Sequence, residues 1–134
     1  IVKMFARVGN RGPAHCTGSG KVLLAALSQE ELDHYLATTK LERFTRDTIT
    51  DPKMLAKELA RVRREGYALD LGERDEDVRC VAAPIKTHGG KVVAAISVSG
   101  PSMRMTPSYI SNELIPIVKD VALRLSRKLG YQGD

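Results

Sequence analysis

Apolar positions fall in two rhythms along this chain. Between residues 17 and 66, and again after residue 106, they recur at helical spacing; elsewhere they alternate or run together as strands do. Val22, Leu23, Leu24, Ala26 and Leu27 predict a helix that opens near Thr17-Gly18-Ser19-Gly20. Ser28 with Glu31 three residues on is a capping box, and it starts a second helix through Leu32, Tyr35 and Leu36. Leu41 to Ile49 reads as a connector. Asp51 then caps a third helix, with Pro52 at its first position and Gly66 at its end. That helix buries Leu55, Leu59 and Val62 and leaves Glu58, Arg61, Arg64 and Glu65 in water. Thr106-Pro107 repeats the cap-then-proline start of a long helix to about Leu129. Its expected stripe is Ile110, Leu114, Ile117, Val118, Val121, Leu125 and Leu129, with a kink at Pro116 and a cap at Gly130. Strands are expected over Ile1 to Val8, over Tyr67 to Leu71, and on either side of Gly89-Gly90. A charged loop, Gly72 to Asp77, separates the second strand from the third.

The Gly89-Gly90 pair joins two Val- and Ile-rich runs and marks a β-hairpin. A two-residue turn pairs His88 with Lys91, Lys86 with Val93, Pro84 with Ala95, Ala82 with Ser97 and Cys80 with Ser99. Opposed residues share a face of the sheet. One face then carries the small residues Cys80, Ala82, Ala95, Ser97 and Ser99, and the other carries Val81, Ala83, Ile85, Val92, Ala94, Ile96 and Val98 as ordinary core. A surface floored by small residues with a few hydroxyls suits a small-molecule pocket. Two alternatives stand beside this. A three-residue turn with a bulge would reverse the parity, and both serines could simply face water with Cys80 a small buried filler. Strands and helices cluster separately and the clear strand pair is a hairpin, so the expected class is α+β with an antiparallel sheet rather than a doubly wound one.

The 134 residues amount to one domain, 43% hydrophobic and 28% charged, as in soluble globular proteins. No run approaches the roughly 18 apolar residues of a membrane span. Two cysteines make no disulfide framework and fit a reducing, cytoplasmic setting. The net charge of +5 is equally well explained by anionic partners or by solvated helix faces such as Arg124, Arg127 and Lys128. Aromatic residues make up only 4%, with no Trp, which disfavours base stacking on single-stranded nucleic acid.

Thr17-Gly18-Ser19-Gly20-Lys21 is not a Walker loop, because His15 and Val22 occupy positions that need Gly and Ser or Thr. A glycine-rich turn into a helix still exposes backbone N–H groups at the positive end of the helix dipole, where either a carboxylate or water can sit. Asp70 is either an acceptor for a ligand hydroxyl or a solvent-facing strand residue. Cys80 as a nucleophile needs a base, and among His15, His34 and His88 only His15 is placed to serve. His15, Cys16 and Cys80 have no recognisable metal-ligand spacing, and no cofactor is expected.

Several segments in order match a known family: Arg11-Gly12-Pro13-Ala14-His15 into Thr17-Gly18-Ser19-Gly20-Lys21-Val22-Leu23-Leu24; Thr48-Ile49-Thr50-Asp51; Gly66-Tyr67-Ala68-Leu69-Asp70; Glu73; Val78-Arg79-Cys80-Val81-Ala82-Ala83-Pro84-Ile85; and Ala94 to Pro101 with Arg104. Over nearly its whole length the chain resembles the C-terminal effector-binding domain of IclR-type bacterial transcriptional regulators. The resemblance implies a GAF-like α+β fold, a largely antiparallel sheet with helices on both sides. It implies a pocket in which Gly18, Ser19 and Gly20 grip a carboxylate while Asp70, Cys80, Ser97 and Ser99 surround the rest of a small organic or aromatic acid. It implies a homo-oligomer, dimer or tetramer, that reaches operator DNA through a winged helix-turn-helix domain absent here, with no membrane partner and no catalysis. On this reading the chain is one domain, 1–134, truncated at its N-terminus. Asp77 stands where the family usually has Gly and alters the loop at the pocket mouth. The rivals are a GAF-like cysteine-dependent redox enzyme and an oligomerisation domain without a ligand.

Overall fold

The computed structural model describes residues 6–133. The strand expected over Ile1 to Val8 falls mostly outside them, and residues 6–8 are not in a strand. A short 3-10 turn, Ala14–Cys16, leads into α1 (Gly18–Ala25); α2 (Gln29–Thr38) and α3 (Pro52–Glu65) follow. Then come β1 (Ala68–Leu71), β2 (Val78–Lys86), a 3-10 turn at His88–Gly90, and β3 (Val92–Pro101). The final helical run begins with a turn at Pro107–Tyr109, widens to a π-helix over Ile110–Leu114, and continues as α4 (Ile115–Lys128).

The helix ends are set by the residues that the pattern singled out. Ser28 and Glu31 form both bonds of the capping box. Asp51 accepts from the Lys53 amide at 3.2 Å, and Gly66 closes α3 in the left-handed region at φ 79°. The last helix departs from expectation. Pro116 lacks an N–H and its ring crowds the preceding turn, and the chain responds with the π-stretch just before it; the Ile115 amide reaches back to the Ile110 carbonyl. This widening shifts the buried stripe to Ile110, Leu114, Val118, Ala122 and Ser126, leaving Ile117 53% and Leu129 51% exposed. Small residues on that stripe let α4 approach the sheet closely enough for Ser126 Oγ to accept from the Lys86 amide at 2.8 Å.

Among the described residues the sheet has three antiparallel strands in the order β1-β2-β3, so the α+β class holds. Cys80 pairs with Ser99, Ala82 with Ser97 and Pro84 with Ala95, as the hairpin pattern predicts. Nearer the turn the prediction fails. The connection is three residues long, with Gly89 and Gly90 both at positive φ, and Lys86 pairs with Val92 rather than Val93. A bulge leaves Val93 unpaired and restores the parity from Ile85 onward. One face of the sheet gives Ala68, Ala82 and Ala95 to a core with α1, α2 and α3 around Leu55 and Leu59. The other gives Leu69, Val81, Ala83 and Ile96 to a core with the C-terminal helix around Leu114 and Val118. Helices therefore cover both faces, and the small-residue face lies under α1.

Candidate functional site

The site is built where α1 begins over the middle of the sheet. Thr17 caps α1 by accepting from the Gly20 amide at 3.2 Å and anchors itself by donating to the Pro13 carbonyl at 2.9 Å. The Gly20 N–H is thus engaged within the protein. Gly18 lies against the sheet so closely that a Cβ there would stand 3.0 Å from Cys80 Sγ and 3.1 Å from Ala82 Cβ. Below it, register aligns Asp70, Cys80 and Ser99 in one row across the three strands, and Ala68, Ala82 and Ser97 in the next. The side chains of Cys80, Ser97 and Ser99 therefore share one side of the β-layer, beside the first turn of α1. Cys80 is buried, whereas Ser97 and Ser99 on the outer strand are exposed to solvent.

Burial pushes the Cys80 thiol above its ordinary value, with the Ser99 and Ser97 hydroxyls and the Gly18 amide acting in the opposite sense. Cys16, fully buried beside the site, is pushed up to about 12, first by burial and then by the charge of Asp70. His15 is spent on the Glu42 carbonyl at 2.8 Å. Neither thiol offers the thiolate that cysteine chemistry needs at neutral pH. Among the described residues, no group of three or more His, Cys, Asp or Glu is arranged to hold a metal ion.

Asp70 is buried at 5% exposure, not solvent-facing, and its Oδ1 accepts from the Glu73 amide at 2.7 Å. Desolvation pushes its carboxyl from 3.8 up to about 6; the Glu73 amide opposes this, the Glu73 charge adds to it, and Lys21 and the Arg74 amide oppose it. A carboxyl more basic in the folded state than in the unfolded chain contributes most stability below pH 3.8, and that contribution is lost as the pH rises through about 6. The ionised group then costs of the order of 3 kcal/mol. Asp70→Asn keeps an oxygen for the Glu73 amide and removes the charge. Its stability relative to wild type is expected to rise between pH 4 and pH 8 in urea titrations, and a difference that is flat or falls with pH would refute this origin of the shift.

The connector and the charged loop carry contacts that the pattern did not reveal. Thr45 donates to the Gly72 carbonyl and Thr48 to the Glu73 carbonyl, both at 2.6 Å, and the Arg74 guanidinium lies 4.2 Å over the Phe44 ring. Lys21 is buried in α1 and paired with Glu73. The signal was present: 18, 21, 22 and 25 form one apolar helix stripe, and Lys21 sits in it. Arg63 is no simple solvated charge either, since it donates to the carbonyls of Ala25, the last residue of α1, and of Leu27 just beyond it, at 2.8 and 2.9 Å. Among the described residues, clefts of about 770, 380 and 310 Å³ lie against α1–α3, the Lys21–Glu73 pair and α4; none of the seven predicted site residues lines these clefts.

Comparisons with known proteins identify the family. The family described as Bacterial transcriptional regulator IclR C-terminal matches residues 1–127. The HTH-type transcriptional repressor AllR of Salmonella typhi is 42% identical over 133 residues, covering 98% of this chain and 48% of the repressor. The crystal structure of Thermotoga maritima IclR superposes with a TM-score of 0.90 at 38% identity, over 98% of this chain and 53% of that one. The inducer binding domain of the PobR transcription factor from Acinetobacter, solved as a double mutant in complex with 3-hydroxybenzoic acid, gives a TM-score of 0.84 at 32% identity, over 90% of this chain and 69% of that one. The chain spans about half the length of the curated relatives it matches. Its matched residues, its two-sided antiparallel sheet and its similarity to these regulators together show that it belongs to the IclR C-terminal family of bacterial transcriptional regulators.

Proposed function

We propose that this chain is a single effector-binding domain, residues 1–134, that senses a small organic or aromatic acid in the cytoplasm on behalf of a transcriptional regulator. The observation that carries this reading is the juxtaposition of the first turn of α1 with the row Asp70–Cys80–Ser99 and with Ser97. No acceptor among the described residues takes the Ser19 amide, while Thr17 holds that of Gly20. The effector's carboxylate sits at the first turn, beside Gly18 and Gly20, with the Ser19 N–H as its donor and the helix dipole in its favour. The Ser97 and Ser99 hydroxyls add hydrogen bonds, Asp70 accepts from a hydroxyl or hydrate, and Cys80 packs at the base. The hydroxybenzoic acid held by the PobR domain supports an acid of this class.

Transmission to DNA follows from linkage. An effector that binds two arrangements of a homo-oligomer with different affinity shifts their balance, typically by about 1–3 kcal/mol, and a DNA-binding domain outside this chain reads the change. Calorimetry with a panel of small 2-oxo acids and hydroxybenzoates tests the site. At least one acid is expected to bind, and Ser97→Ala/Ser99→Ala is expected to weaken it about tenfold, or 1.4 kcal/mol. Heats absent for every carboxylate, or undiminished in the double variant, would remove the proposal.

A further inference from the structure

One of the most deeply buried large side chains in this protein belongs to a lysine. Lys21 is 2% exposed, and lysine is almost never buried so completely without a partner. Its Nζ donates to the Leu69 carbonyl at 2.8 Å and to Glu73 Oε2 at 2.7 Å. Glu73 Oε1 is also 2.7 Å away, yet it accepts no hydrogen bond. Removing two charges from water costs about what their attraction returns, and a well-packed apolar pair often holds a fold equally well. Stability does not explain these residue types.

Their connections do. Lys21 lies one turn after Gly18, and Gly18 stands against Cys80 Sγ. Cys80 pairs across the sheet with Asp70, and Asp70 accepts from the amide of Glu73, whose carboxylate holds Lys21. These contacts close a ring that joins α1, β1, β2 and the loop at Glu73. The Thr45 and Thr48 hydroxyls fix only the main chain of the 72–73 segment, and the Glu73 carboxylate faces Lys21, with one long contact of 3.4 Å from the Leu71 amide. An ammonium anchored to two separate segments fixes the rotation and height of α1, whereas an apolar contact is non-directional. We infer that Lys21 and Glu73 are positioning residues that hold the first turn of α1 over Cys80. Their effect on ligand affinity rests on the carboxylate site proposed above; their effect on the turn itself does not.

The test is Lys21→Met/Glu73→Leu, read in three ways on the same preparation: thermal unfolding, the alkylation rate of Cys80 followed by peptide mass spectrometry, and calorimetry with pyruvate and 3-hydroxybenzoate. The variant is expected to melt at or above the wild-type temperature while Cys80 alkylates about tenfold faster, because local opening is freed without global loss. Affinity for whichever acid the wild type binds is expected to fall about tenfold. A Cys80 rate within about twofold of wild type would overturn the inference. If the double variant fails to fold, Glu73→Gln serves in its place, with Cys80 alkylation expected to be about threefold faster and an unchanged rate overturning the inference. Wild-type protein that binds neither acid counts against the proposed effector class alone, and the Cys80 rate still decides the positioning role.

Discussion

Lys21→Ala is expected to lose about 3–5 kcal/mol of unfolding free energy, a large share of the roughly 5–15 kcal/mol that holds a domain of this size. The replacement strands Glu73, whose side chain is 9% exposed, without the ammonium that pairs with it, and takes a donor from the Leu69 carbonyl. An unpaired buried charge is costly, and the loss of a donor to a part-buried carbonyl adds to it. Contrast Arg61, whose pairs with Glu58 and Glu65 lie at the surface with side chains 24–36% exposed. Exposed pairs of that kind are worth about 0–1 kcal/mol, so Arg61→Ala is the control. Urea unfolding of both variants decides the matter. A Lys21→Ala loss no greater than that of Arg61→Ala would show that the buried pair is not closed in solution.

Gly20→Ala is expected to displace the start of α1, and acid binding with it. A Cβ at position 20 would fall on the Cα and carbonyl of Ala14 and on Thr17 Oγ1, two of them backbone atoms that cannot swing aside. Alanine's better helix propensity, worth about 1 kcal/mol, is too small to offset such a clash, which costs about 1–3 kcal/mol. The same shift carries the Ser19 amide away from its place beside Cys80, so affinity is expected to drop more than about tenfold. Two neighbouring glycines grade the effect. Gly18→Ala meets only side-chain atoms and the more distant Ala82 amide, the nearest at 3.0 Å, and is expected to be milder. Gly12→Ala has nothing within 4 Å and is expected to be silent. Melting temperatures and calorimetry of the three proteins check this order, and Gly20→Ala behaving like Gly12→Ala would contradict it.

What the sequence made legible was local or periodic. Ser28 with Glu31, Asp51-Pro52 and Gly66 each announce a boundary through one residue's chemistry, and each boundary falls where that chemistry puts it. The alternation from Cys80 to Pro84 and from Ala95 to Ser99 carries the parity of the sheet, so the shared face of Cys80, Ser97 and Ser99 could be read before any coordinates. The turn itself could not. Gly89-Gly90 permits several loops, and a three-residue connection compensated by the bulge at Val93 leaves the distant register unchanged. The stripe of the last helix was misjudged because Pro116 acts through a π-stretch, and because the close approach to β2 favours Ala122 and Ser126 over larger apolar residues. Contacts between segments far apart in the chain escaped altogether. Nothing local marks Thr45 and Thr48 as partners of the loop 25 to 27 residues downstream. Nor does anything local join Lys21 to Glu73, 52 residues away; a lysine inside an apolar helix stripe hints at burial without naming its partner.

The location of a bound acid tests the central claim most directly. Amide and side-chain NMR shifts of isotopically labelled protein, titrated with pyruvate and with 3-hydroxybenzoate, report it residue by residue. The largest displacements are expected at the Ser19 amide and at Cys80, Ser97 and Ser99. Saturable shifts confined to the cleft along Pro84, Lys86 and Lys119, with the start of α1 silent, would contradict it.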